Sequence, residues 1–326
     1  MHLDFPGFFD LQVNGFAGVD FNDPSATPEA LRTALAALRA TGVTRLLPTL
    51  ITSPLAAFSA CAQRLVRLGD AAIAGLHMEG PYIAAADGPR GAHPRAHVRA
   101  AAVDDFRRRQ DAAEGRILLV TLAPEVTGAL ALIEYLATEK ICIAIGHTAA
   151  TPAQIRDAVR AGATLSTHLG NGCANLLPRH PNCIWEQLAA DELTASFIVD
   201  GHHLPPATVK AMVRAKTPAR SILVTDAIAA AGCPHGRYRI GGAEVELNVA
   251  GRVAAPGASW LAGSALTMPV AVANTARFTG LPLAAVLPLA TTQPAALLGL
   301  RTAGRVTADW EAATWALNIL SVDPNA

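Results

Sequence analysis

Short apolar runs alternate with amphipathic helical patterns along the whole chain. Eight of these runs have the length and apolar character of buried strands, and they cover Gly7–Val13, Val43–Pro48, Ala72–Glu79, Ile117–Leu122, Ile141–Ile145, Thr164–His168, Thr194–Val199 and Ser221–Thr225. Apolar strands that alternate with helices predict a parallel sheet covered on both faces. Eight such units favour an α/β fold closed as a (β/α)₈ TIM-type barrel over an open sheet.

The punctuation between the strands supports this interpretation. Thr27, Ser53 and Thr151 each precede a proline, which is the pattern of a helix start, and Gly42 and Gly162 stand where helices are expected to end. After the eighth strand, the segment 238–253 alternates around glycines and predicts a β-hairpin, an insertion of about residues 237–256. Helical patterns follow over 264–300. We therefore predict one barrel over residues 1–300 and a C-terminal tail over 301–326.

Composition narrows the function classes. The chain has 326 residues, of which 51% are hydrophobic and 16% charged, so a sizeable core is expected and disorder is excluded. Lys+Arg and Asp+Glu both number 26, giving no net charge. No overall field attracts nucleic acid or an anionic membrane, so an anionic substrate must be recognised by local groups.

Cysteine usage and the chain start bear on the compartment. Five scattered cysteines, none in a CxxC pair, do not form a disulfide framework, and Cys173 and Cys183 are expected to be small loop hydrophobes. The first residues lack the basic start and apolar run of a secretory signal. The most apolar stretch, 252–301, is interrupted by five prolines and fits buried helices better than a membrane span. A cytoplasmic protein is expected.

Polar residues cluster at the ends of the predicted strands, where barrel enzymes carry their active sites. These strand-end residues are Gln12, Asn14, His77, Glu79, His147, His168, Asp200, His202, His203 and Asp226. A carboxylate with two imidazoles suits Zn²⁺ or a similar divalent ion, and Asp226 would then be free to take a proton from water. Taken singly, each residue could equally be a hydrogen-bonded polar group at a strand end.

Eight sequence blocks in order resemble those of the N-acetylglucosamine-6-phosphate deacetylase family, in the amidohydrolase superfamily. The blocks are PGFFDLQVNG from Pro6, LHMEGPY from Leu76, GAHP from Gly91, GHT from Gly146, THLGN from Thr167, VDGHH from Val199, LVTDA from Leu223 and LAGSALTM from Leu261. Together they span residues 6–268. The resemblance implies that Glu79, His147 and His168 bind the metal and that Asp226 is the catalytic acid and base. Zinc is the expected metal, and Fe²⁺, Co²⁺ or Mn²⁺ would also suit these ligands.

The resemblance also implies a substrate shell. His93, on the loop after the third strand, would contact the substrate, although by itself it could be an exposed loop histidine. Asn171, the backbone at Gly172, Arg179 and His203 would bind a phosphate, with Arg179 crossing the interface of a homodimer. The arginine could otherwise be a solvated loop residue. Backbone contacts to the sugar would come from Leu261, Ala262 and Gly263, which could equally form only a tight turn.

Three departures from the family pattern carry expectations of their own. Most superfamily members have a His-x-His pair where this chain has Gln12 and Asn14, so we expect one divalent metal per chain. The segment after His168 differs from the usual pattern. The sequence therefore defines the type of reaction more firmly than the identity of the substrate. The N-terminal part of the usual β-sandwich is not found, so we expect a nearly bare barrel whose tail lacks its usual partners.

The sequence thus predicts a metal-dependent amidohydrolase that removes acetate from an amino-sugar phosphate, with N-acetylglucosamine 6-phosphate the first expectation. N-acetylgalactosamine 6-phosphate, an unphosphorylated amino sugar or an N-acyl amino acid remain alternatives with the same chemistry. A non-catalytic sugar-phosphate sensor is the alternative from another class, but a sensor has no need for a proton shuttle beside a metal.

Overall fold

A computed structural model describes residues 1–258 and 260–326. Its strands are β1 His2–Pro6, β2 Phe8–Val13, β3 Gly15–Phe16, β4 Val19–Asp20, β5 Val43–Ile51, β6 Leu76–Glu79, β7 Ile117–Leu122, β8 Cys142–Ile145, β9 Leu165–Ser166, β10 Thr194–Phe197, β11 Ser221–Leu223, β12 Gly236–Ile240, β13 Ala243–Leu247, β14 Val253–Ala254, β15 Arg305–Glu311 and β16 Ala316–Asp323. The helices are α1 Pro28–Ala40, α2 Leu55–Arg67, α3 Val103–Ala112, α4 Ala129–Thr138, α5 Pro152–Ala161, α6 Cys183–Ala189, α7 Pro206–Lys216, α8 Met268–Thr279, α9 Leu283–Val286 and α10 Thr292–Leu297. Short 3₁₀ turns cover Arg95–His97, Pro218–Arg220 and Leu287–Ala290.

The eight predicted strands form one parallel sheet in the order β2, β5, β6, β7, β8, β9, β10 and β11, which confirms the (β/α)₈ fold. The two end strands approach each other at their C-terminal ends through a bridge between Val13 and Ala227. Asp10 supplements this seam, because its buried carboxylate accepts hydrogen bonds from the backbone N–H of Gln12 and of Thr225, each 3.2 Å long. Side-chain and backbone bonds therefore close the barrel where a regular ladder is short.

Local sequence explains the outer helices. Thr27 caps α1, and Thr151 and Gln154 form a reciprocal capping box at α5, each before the proline that the sequence pattern singled out. Ser53 does not cap α2, because Pro54 takes the capping position without a side-chain hydrogen bond. The apolar faces of these helices pack on the sheet in one continuous core.

The tail is not without partners, which corrects the expectation of a nearly bare barrel. The strands β1, β15 and β16 form an antiparallel sheet, with β1 in register from His2 opposite Asp309 to Pro6 opposite Arg305. The chain enters the barrel from this sheet at Gly7, whose N–H donates to Gly304. The barrel strand therefore begins at Phe8, and residues 2–6 belong with the tail rather than with the barrel.

The remaining expectations agree with the structure in outline. The strands β12, β13 and β14 form the hairpin excursion after β11, and a second small cluster of apolar side chains lies beneath it. The apolar segment beyond it forms α8, α9 and α10. Within the described residues, no single helix has the length and apolar character to cross a membrane, and the pair that passes only when joined is bent by 119°.

Candidate active site

Three side chains that the sequence singled out meet at the C-terminal end of the barrel. Glu79 is the last residue of β6, while His147 and His168 each lie two residues beyond a strand. The Nε2 atoms of both histidines are 3.1 Å from Glu79 Oε1 and 3.1 Å from each other. All three residues are buried, so their donor atoms converge on one point shielded from solvent.

The donor set fits a divalent metal. His147 Nδ1 lies 2.9 Å from the carbonyl oxygen of Pro89, so Nδ1 carries a proton and Nε2 is the ring atom left to bind a metal. Nε2 of His147 and Nε2 of His168 both face Oε1 of Glu79, which is the geometry of three ligands around one cation. Bonds of about 2.0–2.1 Å to a tetrahedral ion place its ligands roughly 3.3 Å apart, close to the separations observed. Glu79, His147 and His168 can therefore hold such an ion.

The electrostatic environment of the triangle favours the ionised form of Glu79. Burial raises the pKa of Glu79, but hydrogen bonds from His147 and His168 outweigh it and hold this pKa well below its usual value. Burial lowers the pKa of His147, but the hydrogen bond and charge of Glu79 outweigh it and raise this pKa above its usual value. An ionised carboxylate therefore lies at the centre of the site.

Asp226 lies beside the triangle, three residues beyond the end of β11. Its backbone N–H donates to the Gln12 carbonyl at 2.9 Å, and its Oδ1 accepts a hydrogen bond of 2.7 Å from Asn14 Nδ2. Burial raises the pKa of Asp226 to about 6, and the negative charge of Glu79 adds to the effect. The carboxylate is therefore a buried base that titrates near the physiological range.

Gln12 and Asn14 occupy the expected second-metal position with amides. Gln12 Nε2 donates to Glu79 Oε1 at 2.9 Å, and Asn14 Nδ2 faces Asp226. Both nitrogens are donors, so neither nitrogen can act as a metal ligand. The amides hold the two carboxylates in place from the first strand of the barrel.

His93 is buried rather than exposed on its loop. Its ring centroid lies 4.3 Å from that of His147, and its Nε2 is 4.0 Å from Glu79 Oε2. His93 Nδ1 lies 2.8 Å from the hydroxyl oxygen of Thr52 and accepts from the Thr52 backbone N–H at 3.4 Å. Burial, with the nearby charge of His147, lowers the pKa of His93 to about 3. The imidazole is thus neutral, with its Nε2–H directed toward the triangle.

The loops that carry these groups are tightly folded. His147, His168 and Asp226 have positive φ angles of 51°, 30° and 50°, which non-glycine residues rarely adopt. Gly172 also has a positive φ, and a Cβ there would lie 3.0 Å from His147 Nδ1. A glycine at this position lets the loop after β9 pack directly on the imidazole.

The predicted phosphate contacts differ in how they relate to this centre. The backbone N–H and side-chain amide of Asn171 both donate to the His168 carbonyl, which places Asn171 and Gly172 beside the triangle. His203 is oriented by Asp200, whose Oδ2 lies 2.6 Å from His203 Nδ1. Arg179 is exposed, and within the described chain its guanidinium makes no hydrogen bond or ion pair. The structure thus groups all of these residues except Arg179 near the site.

The segment 261–263 lies against the loop that carries Asp226. Leu261 forms a bridge with Ala254 of β14, and Ser264 N–H donates to the Asp226 carbonyl at 3.0 Å. Gly263 has a φ of 67°, and a Cβ there would lie 2.3 Å from an Ile228 methyl group. A tight turn is therefore required here, and it places 261–263 at the rim.

Sequence reasoning missed Thr52 and Asp10, and it placed His77 at the rim. Thr52 was hidden because the predicted strand stopped at Pro48, whereas β5 continues to Ile51. Asp10 had a signal, a carboxylate inside a largely apolar strand. His77 lies outside the triangle with its Nε2 at 2.7 Å from Thr121 Oγ1, and burial lowers its pKa to about 4. It is a neutral, hydrogen-bonded side chain of the barrel interior.

Cys173, on the loop after β9, and Cys183, the first residue of α6, do not lie in environments that activate a thiol. Burial raises the pKa of Cys173 to about 11 and also raises that of Cys183. Both are free thiols, packed partly or fully into the core. This agrees with their expected role as small hydrophobic residues.

Comparison with known proteins gives a consistent picture. A family profile described as "Amidohydrolase family" matches residues 5–323. N-acetylglucosamine-6-phosphate deacetylase of Homo sapiens is 38% identical over 312 residues, which covers 90% of this chain and 74% of the human protein. N-acetylgalactosamine-6-phosphate deacetylase of Escherichia coli O157:H7 is 35% identical over 300 residues, which covers 90% of this chain and 78% of that protein.

A solved structure shares the whole architecture. It is N-acetyl-D-glucosamine-6-phosphate deacetylase from Mycobacterium smegmatis, an aspartate-to-alanine mutant in complex with N-acetyl-D-glucosamine-6-phosphate. The TM-score is 0.90 at 32% sequence identity, and the match covers 98% of this chain and 85% of that one. Both the barrel and the small terminal sheet thus lie within the matched region.

Proposed function

The chain belongs to the amidohydrolase family of metal-dependent carbon–nitrogen hydrolases, and on that premise we propose that it converts N-acetylglucosamine 6-phosphate into glucosamine 6-phosphate and acetate. The observation that carries this proposal is the buried Glu79, His147 and His168 triangle with the Asp226 carboxylate beside it. Relatives between 31% and 38% identical that carry the deacetylase name support the substrate.

We assign one divalent ion, with zinc the first candidate, to Glu79, His147 and His168. Such an ion supplies Lewis acidity toward an amide carbonyl and toward water. Asp226 accepts a proton from the attacking water as the new C–O bond forms. The same carboxyl then protonates the nitrogen as the C–N bond breaks, because an unprotonated amide nitrogen is a very poor leaving group.

His93 has the geometry of a hydrogen-bond donor to the substrate carbonyl. Since its Nδ1 accepts from the Thr52 backbone, the neutral ring carries its proton on Nε2. That proton faces the region of Glu79, and the developing oxyanion is the group that such a donor stabilises. The contact with Thr52 therefore fixes the tautomer of His93 that can donate a hydrogen bond from Nε2.

We assign the phosphate to donors on the loops around this centre. Asn171, the backbone at Gly172 and His203 supply donors from one chain, and Asp200 fixes the His203 ring. We assign Arg179 to the site of a second copy in a homodimer, because its exposed guanidinium suits a phosphate and makes no ion pair in the described residues of its own chain. Exposed Leu176 and Trp185, on the same segment, supply apolar surface for that interface. Residues 261–263 contact the sugar.

The galactosamine epimer is the second candidate substrate. It is favoured by the Escherichia coli relative, whose 35% identity to this chain equals that of the N-acetylglucosamine-6-phosphate deacetylase of Danio rerio. The two sugars differ only in the orientation of one hydroxyl group. The reaction and the roles of Asp226 and the metal triangle are unchanged in either case.

Substrate comparison tests the proposal. The values of kcat/KM for N-acetylglucosamine 6-phosphate, N-acetylgalactosamine 6-phosphate and unphosphorylated N-acetylglucosamine are measured on protein loaded with Zn²⁺. We expect kcat/KM for N-acetylglucosamine 6-phosphate to exceed that for the unphosphorylated sugar by at least about 100-fold. This is the contribution of two or three charge-assisted hydrogen bonds to the phosphate. Equal values with and without phosphate would overturn the assigned substrate. A preference for N-acetylgalactosamine 6-phosphate would identify that epimer as the substrate.

A further inference from the structure

Asn14 has one satisfied and one unsatisfied end. Its Nδ2 donates to Asp226 Oδ1 at 2.7 Å, whereas its Oδ1 is buried and has no hydrogen-bond partner in the described chain. The residue is 2% exposed and the oxygen itself is buried, so bulk solvent does not supply the missing donor. A buried acceptor without a partner costs about 1–3 kcal/mol, and proteins keep few of them.

The orientation of this amide is fixed by chemistry. An ionised carboxylate only accepts hydrogen bonds, so the nitrogen of Asn14 must face Asp226. A flipped amide would set two acceptor oxygens against each other. The unsatisfied oxygen is therefore held next to the catalytic carboxylate by the hydrogen bond at its other end.

The backbone around Asn14 is equally constrained. The N–H groups of Asn14 and Gly15 both donate to the Ala227 carbonyl, at 2.7 and 3.1 Å, and the Asp226 N–H donates to Gln12. Asn14 and Asp226 thus project from the two sides of the same barrel seam. These bonds fix the backbone position from which the Asn14 side chain reaches Asp226.

Asn22 shows what a purely structural asparagine looks like in the same region. Its Nδ2 donates to the Thr49 carbonyl at 3.0 Å, and its Oδ1 accepts from the Ile51 N–H at 2.8 Å. Both ends of that amide are satisfied within the chain, and it ties a loop to β5. The Asn14 oxygen differs in that no group of the described chain donates to it.

We propose that Asn14 Oδ1 accepts a hydrogen bond from the N–H of the scissile amide, which makes Asn14 a catalytic residue as well as a positioning residue for Asp226. This inference rests on the proposed function, because it requires an amide substrate. The substrate N–H is the donor that must lie close to Asp226, since that carboxyl has to reach the same nitrogen. No other group of the reacting amide carries a proton.

The contact has a consequence for the second half of the reaction. With its N–H held on Asn14, the nitrogen presents its lone pair toward the Asp226 carboxyl. The proton that Asp226 took from water moves to that lone pair, the C–N bond breaks, and its electron pair stays on nitrogen. The products are a primary amine, which keeps the original N–H, and acetic acid, which carries the water oxygen.

An ester substrate separates the two roles of Asn14. In 2-O-acetylglucose 6-phosphate an oxygen replaces the scissile N–H, so the substrate lacks the donor but still needs Asp226. The kcat values for this ester and for N-acetylglucosamine 6-phosphate are measured on the metal-loaded wild type, Asn14→Ala, Asn14→Leu and Asn14→Asp, with spontaneous ester hydrolysis subtracted.

We expect Asn14→Ala and Asn14→Leu to lose about 10-fold more activity on the amide than on the ester, the worth of one lost hydrogen bond at a buried acceptor. Asn14→Asp keeps an acceptor oxygen, so its amide-to-ester ratio stays close to that of the wild type while both rates fall. Asn22→Ala is the matched control, and it lowers the melting temperature without changing the ratio.

An equal loss on both substrates in the folded alanine or leucine variant would overturn the inference and leave Asn14 with the positioning of Asp226 alone. A wild type that cleaves the ester but not the amide would overturn the proposed function and this inference together. A wild type that cleaves the amide, with an unchanged ratio in the variants, overturns only the inference.

Discussion

Gln12 Nε2 donates a hydrogen bond of 2.9 Å to Oε1 of Glu79, the same oxygen that faces both His147 and His168. An amide nitrogen has no lone pair to offer a metal, so Gln12 supports a ligand rather than acting as one. The carboxylate is held in place from the first strand of the barrel. We therefore propose that the site holds a single ion, at the triangle.

Metal content tests this directly. We expect protein prepared without chelators to contain one equivalent of divalent metal per chain by elemental analysis. Gln12→Ala should weaken metal binding by about 10- to 100-fold, the usual effect of removing a support for a ligand, while the stoichiometry stays at one. Two equivalents in the wild type, with Gln12 at the second ion, would contradict the assignment.

The acid limb of the pH profile should belong to Asp226. Burial and the charge of Glu79 raise the pKa of Asp226 to about 6, and a bound cation would move it lower again. Only the ionised form accepts a proton from water, so kcat should fall as the pH drops through a value at or below about 6. Asp226→Asn should lower kcat by about 10²- to 10⁴-fold and abolish this limb. A limb that persists in the variant would assign it to another group.

Arg179 should act on phosphorylated substrates alone. Because we place its guanidinium at the phosphate of the neighbouring site, Arg179→Ala should raise KM for the sugar phosphate by about 10- to 100-fold, the worth of a charge-assisted hydrogen bond. KM for unphosphorylated N-acetylglucosamine should change little. Arg107→Ala, which removes an exposed arginine of α3, serves as the control. Equal effects on both substrates would count against a phosphate contact.

Asp10 should give the barrel seam a measurable pH dependence. Burial raises the pKa of Asp10 to about 7, so the folded state holds a proton that the unfolded chain releases near pH 4. The contribution of protonated Asp10 to the free energy of unfolding is fully present below about pH 4, and it is lost as the pH rises toward 7. The free energy of unfolding of the wild type should therefore fall relative to Asp10→Asn by up to roughly 4 kcal/mol between pH 4 and pH 8. A difference between the two proteins that does not change with pH would show that Asp10 is not buried as described.

Much of the barrel could be predicted because its strands are short, apolar and regularly spaced. The exact ends of those strands could not be predicted, because the residues there belong to the candidate active site. The predicted sixth strand extended to His168, whereas β9 stops at Ser166 because His168 turns into a positive φ and its N–H bonds the Ser196 hydroxyl. Residues that are held for chemistry depart from the local pattern that sequence reasoning relies on.

The terminal sheet was missed for a different reason. β1 is short, and its partner β15 lies about 300 residues away in the sequence. No local pattern predicts a pairing at that distance. By contrast, the triangle of Glu79, His147 and His168 was found because parallel strands carry their ends to a common edge, so distant residues converge by topology. The contacts of Gln12 and Asn14 required the structure, since the direction of an amide is set by its neighbours.

The most direct test of the account is the metal-dependent release of acetate from N-acetylglucosamine 6-phosphate. Purified protein is compared in the Zn²⁺-loaded, chelator-stripped and re-loaded states, with Asp226→Asn beside it, and acetate and primary amine are quantified together. We predict equal amounts of both products from the loaded enzyme, loss of turnover on stripping, and recovery on re-loading. Release that persists after the metal is removed, or that is undiminished in Asp226→Asn, would contradict the account.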